Sequence, residues 1–203
     1  MYKRQIKEYL GDCIVAVFPS GPDQALKACI EMHRALRAFS DTQRVVPDEA
    51  IRAGMGLHAG PVVMGTIGGD TRLDTGLVGD VVNTTSRVEG LTRRYGTDLL
   101  VTDAIVERLK RVDAFAFRVL DEVVVKGRVQ PLRIYECLDA LPEAARQQRL
   151  RSLADFDAGR LALRAEQRET ARQHFEACLA VDPTDAAARL LLDRCGPSVE
   201  RVD

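Results

Sequence analysis

The sequence lacks most of the features that assign a protein to a specialised class at sight. Its 203 residues contain no tryptophan and only 5% aromatic residues. No apolar run approaches the roughly 20 residues that are needed to cross a bilayer. No apolar signal segment opens the chain either, so we expect no membrane contact by this portion.

An excess of charge of either sign is also missing. The chain carries 29 Lys and Arg against 30 Asp and Glu, for a net charge of -1. Because proteins bind nucleic acids through strongly basic surfaces, this balance predicts no nucleic-acid partner. Apolar residues make up 46% of the chain, which is enough to bury a core and excludes wholesale disorder.

Cysteine is present, but not in a pattern that builds a site. The number is odd, and no CxxC motif or Cys/His cluster has zinc-ligand spacing. We interpret these residues as small buried hydrophobic side chains in a reducing compartment, and this predicts a cytoplasmic location. The five cysteines are Cys13, Cys29, Cys137, Cys178 and Cys195.

Strand and helix patterns are mixed through the first two thirds of the chain, which predicts an α+β fold. Gly11-Asp12 separates two short strands, Asp80 is the expected N-cap of a helix and Gly96 its expected end. We expect a loop at Gly68-Gly69-Asp70. The predicted strands lie within 9–18, 51–58, 98–102, 115–125 and 132–137, and the predicted helices cover 23–39, 81–94 and 103–110.

Strand signals end near Pro142, and the remaining text is helical. Apolar positions recur at helical spacing in 169–181 and 185–194, with a break at Asp182-Pro183. Two helices around such a break resemble one tetratricopeptide-type unit. One unit cannot bury its apolar face alone, so it should pack on the first part of the chain or on a partner. We therefore expect two domains, 1–139 and 140–203.

Four residues of the first part carry the chemistry. Asp12 lies at a hairpin tip, Asn83 and Arg87 share one face of a helix at i and i+4, and Lys126 precedes Gly127 on a second hairpin. Each alone is a common turn or surface residue. Together they supply a carboxylate for a divalent metal, an arginine for spreading negative charge and a lysine for terminal phosphates, which are the components of phosphoryl chemistry.

The order and spacing of these residues resemble the class III adenylate/guanylate cyclase catalytic domain. The resemblance covers about residues 6–138 and implies a ferredoxin-like β-α-β-β-α-β core. The matching segments are Tyr9-Leu-Gly-Asp-Cys-Ile-Val-Ala-Val-Phe18, Arg52-Ala-Gly-Met-Gly-Leu-His-Ala-Gly-Pro61, Val78-Gly-Asp-Val-Val-Asn-Thr-Thr-Ser-Arg87 and Val125-Lys-Gly127.

The resemblance implies an activity and a role for each residue. The family joins the 3′-oxygen of a nucleotide to its α-phosphate, expels pyrophosphate and works as head-to-tail dimers with sites at the interface. Asp12 would be one of two carboxylates for two Mg²⁺ or Mn²⁺ ions. Asn83 would orient the ribose, Arg87 would stabilise charge on the α-phosphate, and Lys126 would hold the outer phosphates. The last three would come from the opposite chain to Asp12.

The choice of purine rests on two further positions implied by the resemblance. Glu8 lies three residues before the hairpin glycine, where a lysine favours adenine and a carboxylate favours guanine because it accepts from N1–H and the 2-amino group. Gly76, three residues before Gly79, offers no side chain. Glu8 therefore favours GTP, but bacterial members of the family mostly use ATP. We expect cAMP ahead of cGMP as the product.

The resemblance begins in the middle of the family's domain. The family's first strand with the other metal aspartate, its phosphate-cradling loop and two helices have no counterpart in the 203 residues, and residues 1–5 resemble translated adapter sequence. We therefore expect a longer natural gene, whose parent protein could be anchored in a membrane, and little or no activity from these residues alone. The strands near 13–18 and 51–58 should also lack a shared neighbour.

Two other classes of function stay open. The chain could be a non-catalytic cyclase half that regulates an active partner by dimerisation, since Asn83, Arg87 and Lys126 fit that role as well. It could also be a protein-docking module in which the helices after 142 bind a partner. Asp12 favours the enzyme, because a purely structural half does not need that carboxylate.

Overall fold

The computed structural model describes residues 5–10, 13–42, 51–69, 72–124 and 130–196. These contain eight strands and seven α-helices. The strands are β1 (Gln5–Leu10), β2 (Cys13–Val17), β3 (Met55–Leu57), β4 (Val63–Gly69), β5 (Arg72–Val78), β6 (Leu99–Thr102), β7 (Phe117–Val123) and β8 (Leu132–Cys137). The helices are α1 (Pro22–Thr42), α2 (Asp80–Tyr95), α3 (Asp103–Val106), α4 (Glu143–Arg151), α5 (Leu153–Arg164), α6 (Arg168–Val181) and α7 (Ala186–Asp193).

Four strands form the central sheet in the order β3-β6-β8-β7. β3 runs parallel to β6, whereas β6 pairs antiparallel with β8 and β8 with β7. Two separate hairpins, β1–β2 and β4–β5, complete the described strands. Within this part of the chain β2 pairs only with β1 and β3 only with β6, in agreement with the expectation that these two strands lack a shared neighbour.

Helices cover both faces of the central sheet, so strand β6 is buried on each side. Leu99 and Val101 pack in one core with α1 and α3, whereas Leu100, between them, faces the opposite core with α2. This alternation is the two-residue period of a strand. The sheet therefore separates α1 from α2 by its own thickness.

The C-terminal helices pack on the first part of the chain. Phe156 of α5, Phe175 of α6 and Leu191 of α7 belong to the same core as Val88 of α2 and Leu120 of β7. Phe156 and Phe175 meet edge to face with their ring centroids 5.7 Å apart. The sequence predicts that the apolar face of the C-terminal helices packs either on the first part of the chain or on a partner, and the structure shows the first arrangement. One core therefore crosses the predicted domain boundary at 139/140.

A buried charge cluster joins the sheet to these helices. Arg118 of β7 has no exposed surface. Its Nε donates to Glu136 of β8 at 2.9 Å, its Nη1 donates to Asp185 at 2.5 Å, and its guanidinium lies 4.1 Å from the centroid of the Phe156 ring. Arg149 of α4 pairs with the same Asp185 and with Asp182. The two carboxylates raise the pKa of Arg118 above its ordinary value, so this guanidinium stays charged.

Several predicted boundaries are wrong in detail. Asp80 is the first residue of α2 and not its N-cap; the cap position is Gly79, without a side-chain hydrogen bond. The strand expected over 51–58 is limited to Met55–Leu57, and the helix expected over 103–110 ends at Val106. Arg72–Val78, for which no strand was predicted, forms β5. Gly96 ends α2 as predicted, with φ of 62°.

Four of the five cysteines are buried free thiols, as predicted, but Cys13 on β2 is exposed. The interpretation of all five as buried side chains is therefore wrong at this position. Burial raises the pKa of Cys29, Cys137 and Cys178 to about 12, so these thiols are protonated at neutral pH. Because the thiolate is the reactive form, only the exposed thiol should react in the folded chain.

We expect the native protein to react with Ellman's reagent at one thiol per chain. Cys13→Ser should remove that reaction, and unfolding in guanidinium should release all five thiols of the wild type. Buried Cys178→Ser is the matched control and should leave the native count at one. Rapid reaction of two or more thiols in the folded wild-type chain would contradict the structure.

In the described parts of the chain, no helix combines the length and the apolar character that a membrane crossing requires.

Candidate functional site

Helix α2 lies unusually close to strand β3 because two glycines face it. A Cβ atom built on Gly56 would lie 2.4 Å from the backbone nitrogen of Glu89, and one on Gly54 would lie 2.2 Å from the Oγ1 of Thr92. Real side chains do not tolerate such contacts, and here the first of them involves backbone. Gly56 in β3 and Gly54 just before it therefore fix the distance between the sheet and α2.

The chain turns sharply from β5 into α2 at Gly79. This residue has φ of 158° and ψ of 151°, and a Cβ atom there would lie 3.1 Å from the carbonyl oxygen of Pro61. A side chain is therefore disfavoured by both conformation and space. Asp80 follows in the first turn, where a carboxylate is favoured by the helix dipole. Because β5 ends at Val78 and α2 begins at Asp80, this turn joins the β4–β5 hairpin directly to the start of α2.

Asn83 and Arg87 lie one helical turn apart on α2, as the sequence predicts. Asn83 is exposed and Arg87 is half-buried. Neither side chain has a hydrogen bond or ion pair with any other described residue. A guanidinium that is partly removed from water without a carboxylate partner is suited to binding an external anion.

The far end of α2 is fixed by a polar triad that joins three elements. Tyr95, the last residue of α2, donates its hydroxyl to Asp121 of β7 at 2.6 Å. Arg194, just after α7, donates to the same carboxylate at 2.5 Å and to the Tyr95 oxygen at 3.1 Å. Burial, together with the Asp121 hydrogen bond, raises the pKa of Tyr95 to about 12, so the phenol stays a donor. The C-terminal helices thus hold both α2 and the strand that leads toward Lys126.

The remaining predicted site residues are described only in part. Gly76 lies in β5, half-buried and opposite Gly65 of β4. Glu8 lies in β1 opposite Val15, beside a register irregularity, on a hairpin that no strand pairing joins to the central sheet in the described chain. Asp12 and Lys126 lie outside the described residues. The structure therefore brings Asn83 and Arg87 together, on the helix that follows the hairpin carrying Gly76.

The described residues contain no group of three or more His, Cys, Asp or Glu side chains arranged to hold a metal ion. The predicted ligand Asp12 lies outside them. Its carboxylate matches the preference of Mg²⁺ and Mn²⁺ for oxygen donors. Asp12 remains our candidate for metal binding.

The hairpin beside α2 exposes large apolar side chains. Val63 is 70% exposed, Val78 is 58% exposed and Met64 is 45% exposed. Neighbouring apolar side chains on an otherwise polar surface are typical of a surface that another protein covers. This hairpin and the exposed part of α2 therefore form one candidate interface.

Sequence reasoning missed the residues that position the site. Gly54 and Gly56 belonged to a motif, but their close approach to α2 depends on tertiary packing. Asp121 and Tyr95 looked like ordinary residues of a strand and a helix, and Arg194 lies 73 residues from Asp121 in sequence. A usable signal existed for Arg118 and Glu136, since each lies two residues from a buried apolar residue on the same face of its strand, Leu120 and Ile134 respectively.

The family model and the relatives that match this chain point to the same family. The sequence profile described as "Adenylate and Guanylate cyclase catalytic domain" matches residues 3–138. An adenylate cyclase of Anabaena cylindrica is 42% identical over 137 residues, which are 64% of this chain and 27% of that protein. The terminal-differentiation-specific adenylate cyclase of Dictyostelium discoideum is 28% identical over 98% of this chain and 10% of its own length. The chain thus spans about a quarter or less of these relatives.

Solved structures show the same fold. The adenylyl cyclase CyaB from P. aeruginosa superposes with a TM-score of 0.56 at 23% identity, over 67% of this chain and 72% of that one. The guanylyl cyclase Cya2 superposes with a TM-score of 0.52 at 28% identity, over 66% and 70% of the two chains. The α+β fold expected from the sequence is confirmed.

Proposed function

Because the chain belongs to the adenylate and guanylate cyclase catalytic domain family, we propose that it is the catalytic region of a nucleotidyl cyclase that serves intracellular signalling. The reaction joins the ribose 3′-oxygen to the α-phosphorus of a nucleoside triphosphate. The bond from that phosphorus to pyrophosphate breaks, and the 3′-hydroxyl proton leaves to solvent. The product is a 3′,5′-cyclic nucleotide.

One observation carries this proposal: Arg87 is half-buried and, within the described chain, has no ion pair, one turn after the exposed Asn83. Arg118, which is fully buried, has carboxylate partners, whereas the guanidinium of Arg87 is left available for an external anion. The turn at Gly79 and the glycines of β3 hold this helix in a fixed position. Such preorganisation is what electrostatic stabilisation of a transition state requires.

Each site residue has a distinct role in the proposed mechanism. Arg87 donates to the α-phosphate oxygens and stabilises the charge that develops as the new bond forms. Asn83 donates to or accepts from the ribose and holds the 3′-oxygen in line with the breaking bond. Lys126 neutralises the outer phosphates, which become the leaving group.

Asp12 would contribute one ligand for Mg²⁺ or Mn²⁺, two of which are expected at each site. When bound, such ions lower the pKa of the ribose 3′-hydroxyl and neutralise the triphosphate. In sequence Asp12 lies between β1 and β2, which pair with each other, whereas Arg87 lies on α2.

The placement of these residues on separate elements supports a site shared by two chains. In such a dimer Asn83, Arg87 and Lys126 of one chain would face Asp12 of the other. The exposed apolar side chains Val63 and Val78 lie on the hairpin that leads into α2 and would be covered by the partner. The partner is either a second copy of this chain or a related cyclase chain.

ATP is the substrate that we propose first. The relatives of Anabaena cylindrica and Dictyostelium discoideum are named as adenylate cyclases, and this supports the choice. GTP is the second candidate, because Glu8 is an acceptor at a base-selecting position and Gly76 adds no donor.

The test is cyclic nucleotide formation by the natural reading frame that contains this chain, with Mn²⁺ and with ATP or GTP in parallel. We expect cAMP above cGMP, and little of either from the 203 residues alone. If the intact protein forms neither product but binds an active cyclase chain, the alternative of a non-catalytic half that regulates its partner is favoured. A larger yield of cGMP would make GTP the substrate.

A further inference from the structure

A polar cavity lies on the face of the sheet opposite to α2. It has a volume of about 440 Å³ and is open to solvent between α1 and the start of α4. Its polar lining comes from three arginines and two carboxylates, so their summed charge is +1. These residues are Arg34, Arg37, Asp139, Glu143 and Arg146.

The two carboxylates of this cavity are already engaged. Asp139 accepts from the backbone nitrogen of Ala116 at 2.7 Å through one oxygen and from Arg146 at 3.1 Å through the other. Glu143 accepts from Gln147 at 2.6 Å and lies 3.8 Å from Arg146. Both carboxylates therefore already interact with Arg146.

The two arginines of α1 have no carboxylate partner among the described residues. Arg37 donates to the carbonyl oxygen of Ala140 at 2.5 Å, which is a neutral acceptor. Arg34, one turn earlier on the same face of α1, makes no side-chain hydrogen bond or ion pair with a described residue and is exposed. Two guanidinium charges thus remain uncompensated at one side of the cavity.

We propose that this cavity binds a phosphate monoester through Arg34 and Arg37. Guanidinium groups at i and i+3 can donate to separate oxygens of one tetrahedral anion, and such charge-assisted hydrogen bonds are the strongest available to a surface site. Helix α4 also begins at the cavity without a side-chain cap, which adds positive potential there.

The neighbouring cavity explains the choice of a monoester over the bare ion. It has a volume of about 180 Å³, shares Arg34 and Asp139 with the first, and adds the apolar side chains of Ile30, Ala114 and Phe115 together with one charged pair, Lys27 and Glu31. These apolar side chains would pack against the organic group while the phosphate stays at the arginines. Inorganic phosphate has no organic group that could fill the neighbouring cavity.

The proposed ligand would join two parts of the fold. Arg34 and Arg37 lie on α1, whereas Arg146 and Glu143 lie on α4, just beyond the turn at Leu138–Ala140. Occupancy would therefore tie the sheet domain to the C-terminal helices on the face away from Asn83 and Arg87. The site is thus separate from the one proposed for cyclisation.

The test is calorimetric titration of the intact chain with ribose 5-phosphate, inorganic phosphate and uncharged ribose at constant ionic strength. We expect both phosphates to bind and ribose not to bind. Ribose 5-phosphate should bind at least severalfold more tightly than inorganic phosphate. Arg34→Gln and Arg37→Gln should each weaken it about tenfold, as expected for loss of one charge-assisted contact.

Two matched variants identify the site. Arg151→Gln removes an exposed arginine of α4 outside the cavity, and Arg87→Ala removes the cyclisation arginine; both should bind ribose 5-phosphate like the wild type. Loss of binding in Arg87→Ala would place the anion at α2 and overturn the proposal. Equal weakening by Arg151→Gln, no binding by the wild type, or equal affinity for both phosphates would overturn it as well.

Discussion

Replacing Arg118 with alanine will lower the free energy of unfolding by about 3–5 kcal/mol, the usual cost of breaking a buried ion pair from one side. The side chain is fully buried and serves Glu136 and Asp185 together. Its loss removes the cation that pairs with Glu136 and leaves Asp185 with Arg149 as its ion-pair partner, in a core where water cannot replace the guanidinium. It also removes the cation that lies 4.1 Å from the Phe156 ring.

The chain offers a matched control on the same two strands. Arg133 of β8 pairs with Glu122 of β7 at 2.8 Å, but this arginine side chain is 47% exposed. Arg133→Ala should cost no more than about 1 kcal/mol, because water screens and replaces the pair. The measurement is urea unfolding of both variants under identical conditions. If Arg118→Ala does not fold, Arg118→Met, which keeps most of the side-chain volume, provides the comparison.

Equal midpoints for the Arg118 and Arg133 variants would show that the Arg118 cluster contributes no more to stability than the exposed pair. A loss confined to the Arg118 variant would show that the helices after 142 are part of the same cooperative unit, because Asp185 lies beyond α6. The second outcome is the one we expect.

Arg87→Ala will lower kcat of the intact protein about 10²- to 10³-fold, the effect of removing one preorganised donor from a developing oxyanion. KM for the triphosphate should change much less, since the charge on the α-phosphate grows toward the transition state. Arg93→Ala removes an exposed arginine from the last turn of the same helix and is the matched control.

The measurement is the initial rate of cyclic nucleotide formation by the natural reading frame, with Mn²⁺ and saturating substrate. Binding to a cyclase partner chain should persist in Arg87→Ala, because the substitution leaves the apolar hairpin unchanged. A rate equal to that of the wild type would remove Arg87 from the mechanism. Loss of both rate and partner binding would assign Arg87 to the interface instead.

Local patterns were sufficient for the elements that carry the site. The apolar spacing of α1, the glycines that bound α2 and the alternation of β7 and β8 are each visible within one element. Strand β5 was missed because Asp74 and Gly76 are poor strand formers, and its pairing with β4 decides its conformation.

The interactions that hold the site in place were not visible in sequence. The approach of Glu89 to Gly56 and the triad of Tyr95, Asp121 and Arg194 join distant segments, and local propensity says nothing about them. The roles of Asp12 and Lys126 stay predictions, because both lie outside the described residues.

The single core that Val88 shares with Phe156, Phe175 and Leu191 limits how this protein can be rearranged. A graft or chimera that ends where the cyclase profile ends, at residue 138, would remove α5, α6 and α7 from the core that they share with Val88 of α2. Swaps between relatives should therefore carry the terminal helices along with the sheet. A sensor fused directly after α7 would, for the same reason, be joined to a helix that belongs to the shared core.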